Sequence, residues 1–235
     1  MTKQEKIVSM FNDIAPTYDR ANRVLSMGVD TIWRKKACTK AFSYCEDNAL
    51  SIVDVACGTG DMMGYWKRVA DENKIVIDEI IGIDPSEGMV GVGREKFPQM
   101  SFHIAPATKL PRENGSADII SISYGIRNVM ERHEALVEFN RVLKTGGLVV
   151  ILEFMKNENP SALGKVRDWY MNNVLPRLGG LISNNYEAYR YLPDSIEGFL
   201  TVGKMAAELE DAGFEMLYTK SFSMDISTLM IARKK

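Results

Sequence analysis

The chain has 235 residues, a formal net charge of −2, and 46% hydrophobic and 26% charged residues, which fits one large globular domain and excludes a broadly disordered chain. The near-neutral balance, with a pI near 5.8, leaves no basic excess to neutralise phosphates, so nucleic acid is not an expected partner. Cys38, Cys45 and Cys57 are too few and too irregularly spaced for a disulfide framework or a metal knuckle. With His103 and His133 the only histidines, no metal site is expected and a reducing cytoplasm fits.

In chain order, residues 3 to 45 predict two or three helices, interrupted at Phe11-Asn12-Asp13 and at Ser26-Met27-Gly28. The basic run Arg34-Lys35-Lys36 with Lys40 reads as the wet side of a helix, and alternatively as a face toward lipid headgroups. Short apolar runs at Ser51 to Ala56, Glu79 to Asp84, Ser101 to Ala105, Ala117 to Tyr124 and Gly147 to Phe154 predict buried strands. Helices are expected between several of them, at Gly60 to Asp71, Ser86 to Phe97 and Glu131 to Leu143, the last closed by Thr145-Gly146-Gly147. Strands alternating with helices imply parallel βαβ units and a doubly wound α/β sheet. Residues 161 to 182 place Leu163, Val166, Trp169, Tyr170, Val174 and Leu178 near helical spacing, broken by Pro176 and Gly179-Gly180. A helix from about Thr201 ends at Asp211-Ala-Gly213. Two closing strands, Glu215 to Phe222 and Asp225 to Arg233, are expected to pair antiparallel across a tight turn at Met224.

The first strand ends in Asp54-Val-Ala-Cys-Gly58-Thr-Gly60-Asp61 and runs into a helix. Gly58 and Gly60 let backbone approach a ligand, and the helix start offers unpaired N–H groups to an anionic or carboxylate end. A glycine pair can also serve the turn alone. GxGxxG is not completed, since Met63 stands where the third glycine belongs and the next glycine is Gly64, so NAD is disfavoured; no P-loop pattern occurs either. The second strand ends in Asp84, where an acidic residue can accept hydrogen bonds from ribose hydroxyls. Both features suit a ligand with a ribose, an adenine and a zwitterionic amino-acid tail, which S-adenosylmethionine has.

Val53 to Asp61 with Asp84 resembles the first two motifs of class I methyltransferases. Further motifs, Ser123-Tyr-Gly-Ile-Arg-Asn-Val129, Arg141 to Gly147, Leu152-Glu-Phe154, Tyr189-Arg-Tyr-Leu192 and Ser195-Ile196, resemble the UbiE/MenG/COQ5 quinone C-methyltransferases, as do Phe11, Ala15, Tyr18-Asp19, Asn22, Ser26, Gly28 and Trp33-Arg34. The resemblance runs from about Phe11 to Phe214. It implies a seven-stranded class I methyltransferase sheet with a C-terminal antiparallel hairpin, divided into a helical cap (1–45), a cofactor-binding core (46–155), a helical substrate cover (156–200) and a closing helix and hairpin (201–235). It implies S-adenosylmethionine contacts from Asp54, Ala56, Cys57, Gly58, Thr59, Gly60, Asp84, Pro85, Met89, Pro106, Ala107, Thr108, Ser123 and Tyr124. The family usually has Asp or Asn where this chain has Pro106; proline offers neither that side chain nor an N–H, so adenine recognition is expected to rest on the Ala107 N–H and apolar contacts.

By the same resemblance the substrate is a polyprenylated quinol, demethylmenaquinol or the ubiquinol precursor, methylated on a ring carbon at a transient membrane-surface contact. The protein is then expected to be cytoplasmic and peripheral to the inner membrane; a homodimer is left open. Arg127 is assigned to the developing phenolate, Asn128 to a hydroxyl or ordered water, Asp19 or water to the proton, and Tyr18 to packing on quinol or donor. A salt bridge for Arg127 and a turn for Asn128 are the plainer alternatives. Glu153 could touch substrate or hold Tyr189 or Arg190. Trp169, Tyr170, Leu175, Leu178, Leu181 and Ile182 are expected to close over the tail. Two other readings stay open: methylation of a different hydrophobic phenol or lipid, and a non-catalytic cofactor-binding subunit.

Overall fold

The structure, a computed structural model, describes residues 1–45, 49–157, 169–170, 173–174, 176–179, 185–223 and 225–235. Three helices come first, α1 (Lys3–Ile14), α2 (Tyr18–Leu25) and α3 (Val29–Phe42). The sheet is built from β1 (Leu50–Val55), β2 (Ile77–Asp84), β3 (Ser101–Ile104), β4 (Ala117–Ser123), β5 (Leu143–Glu153), β6 (Phe214–Phe222) and β7 (Ser227–Lys234). Between strands lie α4 (Asp61–Asn73), α5 (Glu87–Lys96), α6 (Arg132–Val142), α7 (Tyr186–Glu197) and α8 (Val202–Asp211). The order across the sheet is β3-β2-β1-β4-β5-β7-β6. Pairings from β3 through β5 are parallel, and β7 runs antiparallel to both β5 and β6. This is the expected doubly wound sheet with its closing hairpin. Met224, the expected tip, lies outside the described residues, as do Leu163, Val166, Leu175, Leu181 and Ile182 of the expected cover.

Helix starts follow local chemistry. Thr2 and Glu5 form a reciprocal capping box on α1, Ser86 Oγ accepts from the Met89 N–H to start α5, and Thr201 caps α8. The interruption expected at Phe11-Asn12-Asp13 does not occur, and α1 continues to Ile14. An asparagine breaks a helix when its side chain competes for its own backbone. Here Asn12 Oδ1 instead accepts from Ser86 Oγ (2.7 Å) and the Gly88 N–H (2.9 Å). The break falls at Pro16, within a 3-10 turn over Ala15–Thr17. The second break is where expected, with Met27 and Gly28 left-handed at φ 51° and 75°. β5 starts four residues early, because α6 stops at Val142 and Leu143 already pairs with Ala117. Residues Thr145-Gly146-Gly147 therefore belong to the strand rather than to a helix end.

Neighbouring residues on a strand feed opposite cores, as a period of two demands. Val53, Ile120, Val149 and Met230 pack with Leu136 and Phe139 of α6 and Met205 and Leu209 of α8. Ile52, Ile119, Val150 and Ile231 pack with Trp33 and Phe42 of α3 and Trp66 of α4. Both faces are covered, so ligand access is left to the strand ends. In this order β1 and β4 are neighbours whose connections leave in opposite directions, and a crevice opens beyond their carboxyl ends. No helix among the described residues is long and apolar enough to cross a membrane.

Candidate active site

A cleft of about 850 Å³, counting its open mouth and the solvent in it, occupies that crevice. Its floor is the glycine loop. Ala56 turns left-handed at φ 49° as β1 ends, and Gly58 (φ 55°) and Gly60 (φ 81°) continue the bend into α4. A Cβ on Gly58 would meet nothing within 4 Å, whereas one on Gly60 would lie 2.8 Å from Phe102 Cζ. Gly60 is thus required by packing behind the loop, and Gly58 keeps space open in front of it.

Asp84 closes the neighbouring strand. Its Oδ2 accepts from the Gly58 N–H (2.9 Å) and its Oδ1 from the Ser86 N–H (2.8 Å). Burial nonetheless pushes its pKa up to about 6, the two amides opposing. Asp54 lies deeper and off the cavity wall. Its Oδ1 accepts from Ser121 Oγ (2.6 Å), which accepts in turn from Trp66 Nε1 (2.9 Å), and burial pushes its pKa up to about 7. Burial likewise raises the Cys57 thiol well above its usual range, with Asp84 and Asp54 adding to the effect, so Cys57 is no nucleophile.

The opposite wall is α1, through Gln4, Ile7, Val8 and Phe11, with Tyr18 beside them. The far end is β4 and the 3-10 turn Ile126–Asn128. Tyr124, left-handed at φ 58°, stacks on Phe154 with ring centroids 4.5 Å apart and meets Ser227 Oγ at 3.1 Å. Asn128 is buried on the wall, and its Oδ1 accepts from the Tyr191 hydroxyl of α7 at 2.9 Å. Arg127 turns away from the cavity. Its guanidinium donates to Glu153 Oε1 (2.7 Å), the Tyr124 carbonyl (2.5 Å) and Ser195 Oγ (3.2 Å). Glu153 therefore holds Arg127, not Tyr189 or Arg190, and the plainer salt-bridge alternative for Arg127 is the observed one.

Charges of both signs bear on this end. Burial raises the phenol pKa of Tyr18, opposed by the Asn22 side chain, Arg127 and Arg34 and aided by Asp19; burial also raises Tyr191, opposed by Arg127 and aided by Glu153. An anion in place of these phenols would feel the same field. Arg34, expected on a wet helix side, is buried, with its guanidinium 5.1 Å from the Tyr124 ring centre and Nε 3.6 Å from Asp30. Asp19 sits outside the cavity wall. Its Oδ1 accepts from Thr59 Oγ1 (2.5 Å) and its Oδ2 pairs with Lys96 (2.6 Å). Lys96 also pairs with Asp61, which binds Arg23 at 3.0 Å. Burial alone would raise the Asp61 pKa, but Arg34, Lys96 and Arg23 together lower it.

Of the residues expected at the site, Ala56, Gly58, Asp84, Pro85, Met89, Pro106, Ala107, Thr108, Ser123, Tyr124, Tyr18 and Asn128 line the cavity. Asp54, Cys57, Thr59, Gly60, Asp19 and Arg127 do not, although Arg127 binds the carbonyl of Tyr124 on the wall. Sequence reasoning missed α1 as a wall, Asn12 as a tether and Tyr191 as the partner of Asn128. The Asn12 position was visible only as a polar interruption in a helix.

No ligand accompanies the chain, so fit is judged from its polar groups. Ser123 Oγ is buried on the wall without a hydrogen-bond partner among the described residues, and the Ala107 N–H likewise has none among them. With the Asp84 carboxylate and the space before Gly58, these groups match a ribose, an adenine edge and a polar tail. Pro106 supplies only apolar wall at the adenine position.

The ubiE/COQ5 methyltransferase family model matches residues 1–234. A ubiquinone/menaquinone biosynthesis C-methyltransferase of Campylobacter jejuni is 55% identical over 234 residues, covering all of both chains. A demethylmenaquinone methyltransferase of Chlorobaculum parvum is 36% identical, covering 98% of this chain and 93% of that one. A solved SAM-dependent methyltransferase of Thermotoga maritima superposes with a TM-score of 0.60 at 19% identity, covering 97% of this chain and all of the other. That last likeness concerns the fold alone.

Proposed function

The chain belongs to the ubiE/COQ5 methyltransferase family, and on that footing we propose that it transfers a methyl group from S-adenosylmethionine to a ring carbon of a polyprenylated quinol, demethylmenaquinol first and the ubiquinol precursor second. The observation that carries the reading is the single crevice in which Asp84 and the open space before Gly58 face Asn128 and Tyr18. Donor and acceptor can meet there without solvent between them.

The bound donor would supply an electrophilic methyl on a sulfonium, which needs no metal to leave. Asp84 accepts from the ribose hydroxyls while its backbone donors, Gly58 and Ser86, hold the carboxylate in place. Ala107 N–H and Thr108 take the adenine edge beside Pro106. Ser123 Oγ and the first amides of α4 address the polar tail.

The acceptor has to be the reduced ring, since a quinone is electron-poor. Its hydroxyl, with a phenol pKa of about 10, must give up a proton for the adjacent carbon to become a strong nucleophile; once the methyl has left sulfur for that carbon, the ring C–H proton is lost to water and the oxygen is reprotonated, restoring the aromatic quinol. Arg127 and Arg34 act against the burial penalty on the anion, as they do at Tyr18, and Asn128 orients the hydroxyl or the water that takes its proton. Arginine stays protonated throughout and is not the base. Asp19, paired with Lys96, positions Thr59 rather than removing a proton. Ile7, Val8 and Phe11 exclude water from the transfer. A polyprenyl tail resides in a bilayer, so the work is done at a membrane surface.

Purified protein given methyl-labelled donor and reduced demethylmenaquinone should place the label in the quinone. Donor binding without transfer to any quinol would sink the reading in favour of a non-catalytic subunit; transfer only to unrelated phenols would favour a different substrate. Asp84→Ala should raise the donor Kd by at least about tenfold, the scale of a charge-assisted hydrogen bond, with a smaller effect on kcat.

A further inference from the structure

Val24, Met27 and Ile32 are 51%, 82% and 51% exposed around the turn that joins α2 to α3. Met27 is left-handed at φ 51°, an uncommon conformation for a large side chain, yet the protein holds it outward where no core uses it. The Met27 N–H donates to the Val24 carbonyl at 3.1 Å, so the two side chains share the apex. Residues 20–40 carry six basic side chains against one acidic, Asp30; Arg34 is buried, Arg23 binds Asp30 and Asp61 and Lys35 pairs with Glu72, which leaves Arg20, Lys36 and Lys40. Asp30 is buried and bound to Arg23 at 2.8 Å. Arg20 and Lys36, both exposed, flank the apolar apex. The Tyr170 hydroxyl donates to the Leu25 carbonyl at 3.4 Å, and the preceding residue in sequence, Trp169, is 61% exposed.

An apolar tip flanked by Arg20 and Lys36, one helical turn from Val24 and Ile32, matches the chemistry of an anionic lipid surface. We propose that the α2–α3 hairpin docks the enzyme on a bilayer containing anionic phospholipid, with Val24, Met27 and Ile32 entering the boundary between headgroups and acyl chains. The hairpin is also the route to the site. Tyr18, the first residue of α2, lines the cavity, and the eight residues of α2 span about 12 Å. A lipid lifted at the apex reaches the catalytic crevice within one helix length. The proposal rests on the quinol reading only for which lipid enters.

Full-length protein is sedimented with vesicles of equal parts phosphatidylcholine and phosphatidylglycerol, and with phosphatidylcholine alone. Binding to the mixed vesicles is expected, weaker by about tenfold or more on the neutral ones and falling with salt, since each surface cation contributes several-fold. Met27→Glu with Val24→Glu, and separately Arg20→Glu, should each cut mixed-vesicle binding by about tenfold or more, while methylation of a short-tailed quinol in solution stays unchanged. Equal binding to neutral vesicles, variants that bind like the parent, no sedimentation with either vesicle, or an apex that instead joins two copies of the chain would each overturn the docking surface. Intact vesicle binding with no methylation of any quinol would overturn the quinol reading and leave the docking surface standing.

Discussion

Glu153 has no exposed side-chain surface and Arg127 retains 6%, so removing either partner strands a charge in the interior. Breaking a buried pair costs about 3–5 kcal/mol. Glu153→Ala is expected to lower the unfolding free energy by about 3 kcal/mol or more, measured from urea midpoints. A loss below about 1 kcal/mol, typical of exposed pairs, would show that water reaches the site. Since Arg127 and Glu153 also fix the turn that presents Asn128, the milder Glu153→Gln should lower kcat while leaving the donor Kd near its parent value. Equal loss in both would mean the pair supports the donor side instead. The motif around Arg127 located the residue at the sheet's carboxyl edge, but nothing local revealed its partner. Glu153 lies 26 residues away, and only the parallel β4–β5 register, with Ser123 opposite Leu152, brings them together. Asp19 was illegible for the same reason: its partners Thr59 and Lys96 are 40 and 77 residues distant.

At the scale of elements, α1 is a wall of the cavity held by few bonds. Its side chains Ile7, Val8 and Phe11 face the crevice, and Asn12 ties it to the start of α5 through Ser86 and Gly88. A Cβ on Gly88 would come within 3.1 Å of the Asn12 carbonyl oxygen, so the two helices meet at a glycine. Asn12→Ala removes both bonds, worth roughly 1 kcal/mol each in net terms. The variant should show faster amide exchange over α1 and a donor Kd raised several-fold, with α4 and α6 exchanging as in the parent. Unchanged exchange over α1 would place its anchorage elsewhere, in the cluster with Ala188 and Tyr189 of α7. Strands were legible because buried parallel strands are continuous apolar runs with sharp ends. The helical cap was less so, because a residue such as Asn12 carries opposite local and tertiary meanings, and only the position of Ser86 decides between them.

Over the whole molecule, the glycine-loop side of the sheet stores carboxylates where a carboxylate is costly. Burial raises Asp54 from 3.8 to about 7 and Asp84 from 3.8 to about 6, and raises Glu153 against the pull of Arg127. Between about pH 4 and 7 the unfolded chain has released the Asp54 and Asp84 protons while the folded chain gives them up only near 7 and 6, so stability falls as pH rises through that window. The contribution is fully present below about pH 4 and lost above about pH 7. At 1.36 kcal/mol per pKa unit, Asp54 alone accounts for up to about 4 kcal/mol. Asp61, whose pKa is lowered, works in the other direction and only on the acid side of the window. The ligand-free protein is therefore expected to unfold at higher urea near pH 5 than near pH 7.5, and Asp54→Asn should remove most of the difference because its side chain no longer titrates. Equal midpoints for the parent at both pH values, or an undiminished slope in the variant, would refute the assignment. A cationic donor bound at Asp84, as proposed, would supply the compensation at neutral pH: its charge would favour the ionised form of Asp84, and donor at a hundred times its Kd would add about 2.7 kcal/mol. The midpoint shift produced by saturating donor should consequently grow as pH rises through about 6, and a shift independent of pH would mean that Asp84 does not face the donor's charge.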